Sequence, residues 1–137
     1  MERISVAPVF HDVCGKSWYS DQNAIRALNR MMDAQIWQLA VVPIHRLIAT
    51  QAYVNADFRQ AAEAASRKDD GMALPAVVQY DGRLYITDGH HRLFRDGHDG
   101  RYFASVRLFD LDAVLNPDPW LPAQAQLSFN TRERASQ

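Results

Sequence analysis

The sequence predicts an α/β (α+β) domain in which helices flank a small mixed β-sheet. Three observations support this fold class. The chain has 137 residues, a length that suits one domain. Helical and strand-like patterns alternate along it, and an Asp-Gly dipeptide between two β-rich runs predicts a central hairpin. We therefore treat residues 1–137 as a single domain, with a core at about 41–110, a helical N-terminal extension at 1–40 and a proline-rich tail at 116–137.

The N-terminal part of the chain predicts one helix. Residues 1–19 show no clear period, and we expect them to lie across the surface of the domain. Ser20 is suited to cap a helix, and Asp21 places negative charge in its first turn. Apolar residues then recur at helical spacing, so the helix is expected to end near Ala40. These apolar residues are Ile25, Leu28, Met32, Ile36 and Leu39.

A strand and a second helix are predicted next. Residues 41–48 predict a short strand, and Pro43 favours a sheet edge or a strand start because proline cannot donate to a ladder. Residues 56–68 predict a helix that the Asp-Asp-Gly sequence at 69–71 ends. Its apolar face comprises Phe58, Ala61, Ala62 and Ala65.

The dipeptide Asp81-Gly82 carries the clearest local signal. It lies between two runs of β-forming residues, and a type I′ turn needs positive φ at both of its central positions. In the hairpin that this turn predicts, Val77 opposes Ile86 and Leu84 shares their face. We expect these three side chains to point into the core.

The pattern changes after Thr87. A tight turn leads into a short helix that Asp96-Gly97 is expected to close, and residues 102–109 predict a further strand. Residues from about 128 onward are expected to be frayed. Regular structure is expected to stop at three prolines, Pro117, Pro119 and Pro122.

Composition limits the class of function. With 15 basic and 16 acidic residues and a net charge of -1, the chain lacks a global basic field for gripping nucleic acid. The single cysteine, Cys14, rules out an intramolecular disulfide and fits a reducing compartment. Neither a membrane-spanning apolar run nor the apolar core of a signal peptide is found. We expect a cytoplasmic protein without a membrane partner.

The segment after the hairpin predicts an anion site. Where a strand breaks through a glycine into a helix, the first N–H groups are unpaired and the helix dipole is positive. Gly89 lets the backbone approach a ligand closely. Asp88 is suited to accept from the His91 backbone N–H as a cap, or to hold a divalent metal or a ribose hydroxyl. Arg92 can bind phosphate bidentately, and His90 or His91 can donate to phosphate or transfer a proton.

Two other interpretations of this segment stay open. One is a solvated turn. The other is a metal site, but adjacent histidines at a helix start point in different directions, and no His-x-x-x-His spacing occurs here. Mg²⁺ brought in by a nucleotide is easier to accommodate because it needs few protein ligands. The candidate metal ligands are Asp88, His90, His91, His98 and Asp99.

Several pieces between Val42 and Phe109 occur in the order found in one known superfamily. They are the strand at 42–48, Thr50-Gln51, the run at 74–78, the Asp-Gly hairpin, the block Thr87-Asp88-Gly89-His90-His91-Arg92 and the closing strand. On these residues the sequence resembles the ParB/sulfiredoxin superfamily over roughly half of the chain. The resemblance implies a ParB/sulfiredoxin-like fold and a nucleotide-phosphate site at the block.

Departures from the superfamily's patterns exclude two of its activities. Sulfiredoxins place a catalytic cysteine immediately before the His-Arg of this loop, where the chain has His90, and Cys14 lies outside the matched region. Cysteine-sulfinate reduction is therefore not expected. Partition proteins carry a Gly-Glu-Arg-Arg-like loop, bind CTP and continue into a helix-turn-helix module. Only Gly89 and Arg92 match that loop, so a centromere-binding role is not expected either.

Two branches fit the chain better. Free-serine kinases of this superfamily carry an Asp-Gly-His-His-Arg type of loop. Their catalytic glutamate follows the first strand, however, where this chain has Thr50-Gln51, and glutamine cannot act as a general base. ParB-like nucleases and proteins with ATPase or DNase activity are short stand-alone versions of the fold. The chain suits that branch by size.

The sequence and the resemblance together predict a Mg²⁺-dependent ATPase or nuclease-type phosphoester hydrolase. Its ligand would be ATP, ADP or another nucleoside phosphate. Asp88, His90 and His91 would be catalytic, residues 89–92 would bind phosphate, and Asp88 would also hold the metal. Thr87 and Gln51 would contact the nucleotide or substrate.

Other partners and activities stay open. DNA would be favoured by a basic rim of Arg95, Arg101 and Arg107, although scattered surface arginines explain the same residues. A free-serine-type kinase is one alternative activity. A non-enzymatic regulator that binds a protein partner through residues 1–40 or the tail is another.

Overall fold

The computed structural model of the chain describes residues 2–14, 21–66 and 74–116. The described residues form four α-helices, a six-stranded mixed sheet and a two-stranded sheet, which confirms the α/β (α+β) fold class. None of these helices has the length and apolar character needed to cross a membrane. In chain order the elements are β1 (Arg3–Ser5), β2 (Asp12–Val13), α1 (Gln22–Asp33), β3 (Gln38–Pro43), a 3₁₀ turn (Ile44–Arg46), β4 (Ile48–Ala49), β5 (Tyr53–Asn55), α2 (Phe58–Ser66), β6 (Ala76–Tyr80), β7 (Arg83–Asp88), α3 (His90–His98), β8 (Phe103–Asp110) and α4 (Leu111–Leu115).

The order of the strands decides where loops meet. The six-stranded sheet runs β2-β4-β7-β6-β8-β3. Strands β2, β4 and β7 are parallel, β6 is antiparallel to β7 and parallel to β8, and β3 is antiparallel to β8. Because β4 and β7 are parallel neighbours, their carboxyl ends lie at the same edge of the sheet. Loops that leave this edge are the usual place for ligands in such sheets.

The sheet is covered on both faces. On one face, Val77 of β6 packs with Phe58 of α2 and with Leu93 and Phe94 of α3. On the other face, Val78 belongs to a second core with residues of α1 and α4. Adjacent residues of β6 thus enter different cores, as expected for a strand buried on both sides. The result is a three-layer arrangement with the sheet in the middle.

The hairpin prediction is confirmed. Asp81 (φ 53°) and Gly82 (φ 72°) both adopt positive φ, as a type I′ turn requires. Val77 opposes Ile86, and Leu84 packs against the same core. The turn is also held from outside, because the backbone N–H groups at its two central residues donate to a carboxylate of α4. These bonds run to Asp112 and measure 2.6 and 2.9 Å.

The cap of α1 is Asp21. Its Oδ1 accepts the backbone N–H groups of Asn23 (3.0 Å) and Ala24 (3.2 Å), and its Oδ2 accepts the Tyr80 hydroxyl (2.9 Å). The hydrogen bonds from Ala24, Tyr80 and Asn23 lower the pKa of this carboxyl. The prediction that Ser20 is the cap and Asp21 lies in the first turn is therefore wrong by one residue, because Asp21 is itself the N-cap.

The predicted end of α1 near Ala40 is wrong. The helix ends at Asp33, and the chain turns at Gln35 with φ 54°. Residues 38–43 then form β3, where they pair along their whole length with β8. Hydrogen bonding to a neighbouring strand therefore overrides a helical spacing that continues through Ile36 and Leu39.

The prediction of one continuous strand at 41–48 is also wrong, because a turn interrupts it. β3 ends at Pro43, the 3₁₀ turn Ile44–Arg46 follows, and β4 begins at Ile48. The Ile44 N–H donates to the carbonyl of Tyr102 (2.9 Å), and the Leu47 N–H donates to that of Ile44 (3.1 Å). This turn lets the chain pass from the β3 edge of the sheet to β4. The edge position expected from Pro43 is confirmed, because β3 is the last strand in the sheet.

The N-terminal residues do not lie across the surface as expected. β1 pairs with β5, β2 forms one edge of the six-stranded sheet, and Val6 and Phe10 are buried in the core. Short strands of two or three residues are too brief to show a period. Strand β8 covers residues 103–110, one position later than predicted. The helix end predicted at 69–71 and residues 117–137 of the predicted tail lie outside the described residues.

Candidate functional site

The candidate site is the junction between β7 and α3. β7 ends at Asp88, Gly89 has φ 94°, and α3 begins at His90. A Cβ at Gly89 would lie 2.6 Å from the Cβ of Pro75 and 2.9 Å from its Cα. Glycine is therefore required here both for its left-handed backbone and for close packing on Pro75. The predicted strand-glycine-helix junction is confirmed.

Helix α3 differs from the prediction at both ends. Gly89 is the N-cap and no side chain caps the helix, so the predicted cap by Asp88 is wrong. The Asp88 carboxylate is 74% exposed, and its Oδ2 faces the Arg107 Nη2 at 3.7 Å. At the other end, α3 runs through Gly97 to His98. A Cβ at position 97 would collide with the Cγ1 of Val9, which explains the glycine by packing. Glycine inside this helix allows close packing and does not end it.

Arg107 is a buried charge behind the junction. It is 4% exposed, its Nε donates to the carbonyl of Leu74 (3.0 Å), and its backbone N–H donates to that of Pro75 (2.8 Å). The Arg107 side chain thus holds the Leu74–Pro75 segment on which Gly89 packs. The same side chain faces Asp88. The interpretation of Arg107 as part of an exposed rim is wrong. The side chain is buried because β8 is an interior strand beside β6 and the guanidinium turns onto the carbonyl of Leu74, an arrangement that the sequence does not reveal.

His90 connects the loop after β4 to the β7–α3 junction at the carboxyl edge of the sheet. Its side chain is 6% exposed, and its Nε2 accepts the backbone N–H of Thr50 at 3.0 Å. The Thr50 hydroxyl donates to the carbonyl of Ile86 (2.6 Å). Since Nε2 accepts, the neutral imidazole carries its proton on Nδ1. This contact brings the Thr50-Gln51 loop beside the first turn of α3.

We expect His90→Phe to lower the free energy of unfolding by about 1–3 kcal/mol, because it removes the acceptor of the Thr50 N–H while keeping an aromatic ring. Denaturant unfolding measures this change. The control is His11→Phe, at an exposed histidine, which should change stability by less than about 0.5 kcal/mol. Equal stability of the His90 variant and the wild type would contradict the structural role of this bond.

His91 and Arg92 are half-buried on the first turn of α3. Burial lowers the pKa of the Arg92 guanidinium, an effect that Asp96 opposes. Asp96 also pairs with Arg95 (Nη2 to Oδ1, 3.0 Å). A partly desolvated guanidinium is screened less by water, so it attracts an anion more strongly than a fully exposed one does.

The two predicted substrate contacts differ in their surroundings. The Thr87 hydroxyl donates to the carbonyl of Ala76 (3.2 Å), so it braces the hairpin. The Gln51 side chain is exposed, and its Nε2 donates to the carbonyl of Tyr53 (3.1 Å). Gln51 follows Thr50 directly and therefore lies near the junction.

The metal-ligand candidates do not converge. Among the described residues, no three His, Cys, Asp or Glu side chains form a group that could hold a metal ion. His98 stacks on Phe94 at the far end of α3, with ring centroids 5.6 Å apart. Asp99 accepts two hydrogen bonds from Arg59, at 2.6 and 2.9 Å. Asp88 is left as an exposed carboxylate at the junction.

Comparisons with known proteins do not add to this description. No protein-family model matches the chain, and no match was found among curated proteins or solved structures. The resemblance to the ParB/sulfiredoxin superfamily therefore stays a prediction.

Proposed function

We propose that the chain binds a nucleoside di- or triphosphate with Mg²⁺ at the β7–α3 junction and hydrolyses a phosphoester of a nucleotide or nucleic acid. One observation carries the proposal. A glycine with positive φ starts a nine-residue helix at the shared carboxyl edge of β4 and β7, with His91 and Arg92 on its first turn. The resemblance to stand-alone ParB-like ATPases and nucleases supports the same site.

The backbone of residues 89–92 binds the phosphates in this proposal. The first N–H groups of a helix have no intrahelical acceptor, and the helix dipole adds positive potential at this end. Gly89 supplies the left-handed backbone that aims the first N–H groups of α3 out of the strand end, while its Cα packs on Pro75. Arg92 then contacts the phosphate with a planar pair of N–H donors, and its partial burial strengthens the attraction.

His91 is the residue that we assign to proton transfer. The Nε2 of His90 already accepts the Thr50 N–H, so its imidazole positions the loop after β4. His91 is half-buried on the same turn. An imidazole exchanges protons near neutral pH, which suits a group that protonates a leaving oxygen or deprotonates water.

Asp88 is suited to hold Mg²⁺ that arrives with the nucleotide. Mg²⁺ is usually bound through one or two carboxylates together with phosphate oxygens and water, so one exposed carboxylate beside the phosphates fits it. When bound, Mg²⁺ neutralises the charge that develops on the phosphoryl group. The buried guanidinium of Arg107 holds the Asp88 carboxylate from behind.

Calorimetric titration with ATP, ADP and CTP, each with and without Mg²⁺, tests the site. We expect saturable binding that His91→Ala and Arg92→Ala each weaken about 10-fold or more, because each removes a hydrogen bond to a charged group. Arg30→Ala, at an exposed arginine of α1, is the control and should bind as the wild type does. Absence of binding at millimolar nucleotide would contradict the proposal.

Turnover assays separate the alternatives once binding is found. Release of inorganic phosphate or cleavage of DNA that His91→Ala abolishes supports hydrolysis. Consumption of ATP or ADP only after a metabolite mixture is added supports a small-molecule kinase. Binding without turnover supports a regulator that uses the nucleotide as a signal.

A further inference from the structure

A second cleft lies away from the β7–α3 junction. It has a volume of about 750 Å³, within the roughly 300–1,000 Å³ typical of small-molecule sites. Three stretches of chain enclose it: the region of β2, the segment from the end of β3 to β4, and the hairpin turn with the first residues of β7. We call it the β2–β7 groove. Asp12, Cys14, Pro43, Arg46, Arg83 and Leu84 are among its lining residues.

The β2–β7 groove carries more positive than negative charge. Arg46 and Arg83 are both exposed, and Asp12 supplies the one carboxylate of the lining. Within residues 2–14, 21–66 and 74–116, no carboxylate forms a salt bridge with either arginine. Arg83 donates to the hydroxyl of Tyr85, which raises the pKa of its guanidinium. Two guanidinium groups thus line the same groove, and in the described part of the chain neither forms a salt bridge, although Asp81 lies near enough to Arg83 to raise the pKa of its guanidinium further.

The groove has little negative charge to offset the two arginines. The Asp12 carboxylate accepts the backbone N–H of Val13 at 2.8 Å, so part of its charge is already satisfied. Burial and the nearby Asp12 raise the pKa of the Cys14 thiol, so no thiolate adds negative charge at neutral pH. His11 and His45 add donors or acceptors without adding negative charge.

The wall of the groove is partly apolar. Half-buried Pro43 and Leu84 contribute hydrocarbon surface, and the buried side chains of Ile48 and Tyr85 lie behind them. A site with a few charged groups on a partly apolar wall is suited to a ligand that has one anionic group and a small organic body. Guanidinium groups bind carboxylate and phosphate with two parallel hydrogen bonds, which identifies the class of anion.

We propose that the β2–β7 groove binds a small organic anion, a phosphate monoester or a carboxylate on an apolar body, through Arg46 and Arg83. The groove is separate from the proposed nucleotide site. The groove is lined by the first residues of β7, whereas the junction follows the last residue of the same strand. The two ends of this six-residue strand are separated by about 17 Å at the usual rise of a β-strand.

Amide NMR titration of the full chain with phenyl phosphate, benzoate, benzyl alcohol and inorganic phosphate tests the proposal. We expect saturable shifts around Arg46, Gly82 and Arg83 with phenyl phosphate or benzoate, and the stronger of the two identifies the anion. Benzyl alcohol lacks the charge and inorganic phosphate lacks the organic body, so both should bind at least about 10-fold more weakly.

Variants assign the contact to the two arginines. Arg46→Gln and Arg83→Gln should each weaken binding about 10-fold, and both side chains are exposed, so the fold should persist. Arg30→Gln is the matched control and should not change binding. Retained binding in His91→Ala and Arg92→Ala would show that the groove is independent of the nucleotide site.

Three results would overturn the proposal. They are the absence of saturable shifts with both organic anions, shifts confined to residues 89–92, and full binding in the Arg46→Gln Arg83→Gln double variant. Nucleotide-induced shifts around Arg46 and Arg83 in place of residues 89–92 would support the groove and contradict the proposed nucleotide site. The two proposals can therefore fail separately.

Discussion

Replacement of Gly89 with alanine is expected to lower the free energy of unfolding by about 2–5 kcal/mol. Two costs add at this position. A residue with a Cβ is strained at φ 94°, and the new atom would lie 2.6 Å from the Cβ of Pro75 and 2.9 Å from its Cα. The second contact involves backbone, so it cannot be relieved by rotation of a side chain. Thermal or denaturant unfolding measures the loss.

Gly100→Ala is the matched control. Gly100 has φ 89°, but nothing lies within 4 Å of the position that a Cβ would take. It should therefore show only the conformational cost, about 1–2 kcal/mol. Similar losses in the two variants would mean that Gly89 is required for its backbone angle alone. A folded Gly89→Ala protein should also lose nucleotide binding, because the new methyl group displaces the loop that binds phosphate.

Phe94→Ala is expected to cost about 3–5 kcal/mol of stability, a large part of what a small domain possesses. The Phe94 ring is 2% exposed, packs edge-on against Phe58 with centroids 4.9 Å apart, and stacks on His98. It therefore holds α3 against α2 and fixes the direction of the first turn of α3. Denaturant unfolding provides the measurement.

Phe103→Ala makes the same chemical change on the surface. The Phe103 side chain is 62% exposed on β8, so its removal leaves no internal cavity. We expect a change within about 0.5 kcal/mol. A loss of similar size in both variants would show that Phe94 does not anchor α3 as described.

The parts of the fold that depend on neighbours in sequence could be predicted. The Asp81-Gly82 turn requires positive φ at two adjacent positions, and this requirement identified both the hairpin and its register. The break through Gly89 into α3 is equally local. In both cases a few adjacent residues restrict the backbone enough to specify the structure.

The parts that depend on distant pairing could not be predicted. Helix α1 stops at Asp33 because residues 38–43 pair with β8, which lies far along the chain. Strand β2 has two residues and gains its place only by pairing with β4. Neither partner can be identified from local spacing, so the helix was predicted too long and β2 was missed.

The candidate site also has features set by neighbours in sequence and features set by distant pairing. The position of Gly89, His91 and Arg92 directly after β7, at the start of α3, could be predicted from the sequence. The contact between His90 and Thr50 and the buried position of Arg107 depend on the order of strands in the sheet. A histidine expected to act on a ligand therefore proved to link two loops, and an arginine expected on the surface proved to support the junction.

The central position of β8 has a consequence for the order in which the chain acquires structure. β8 is the last strand along the described chain, yet it separates β6 from β3. During synthesis from the N-terminus, β3 cannot find its partner until residues 103–110 have left the ribosome. The β6–β7 hairpin can form earlier because its contacts are local, on the microsecond scale typical of hairpins. We therefore expect the hairpin and α3 to be present before the sheet closes, and β3 to be the strand whose exposure lasts longest.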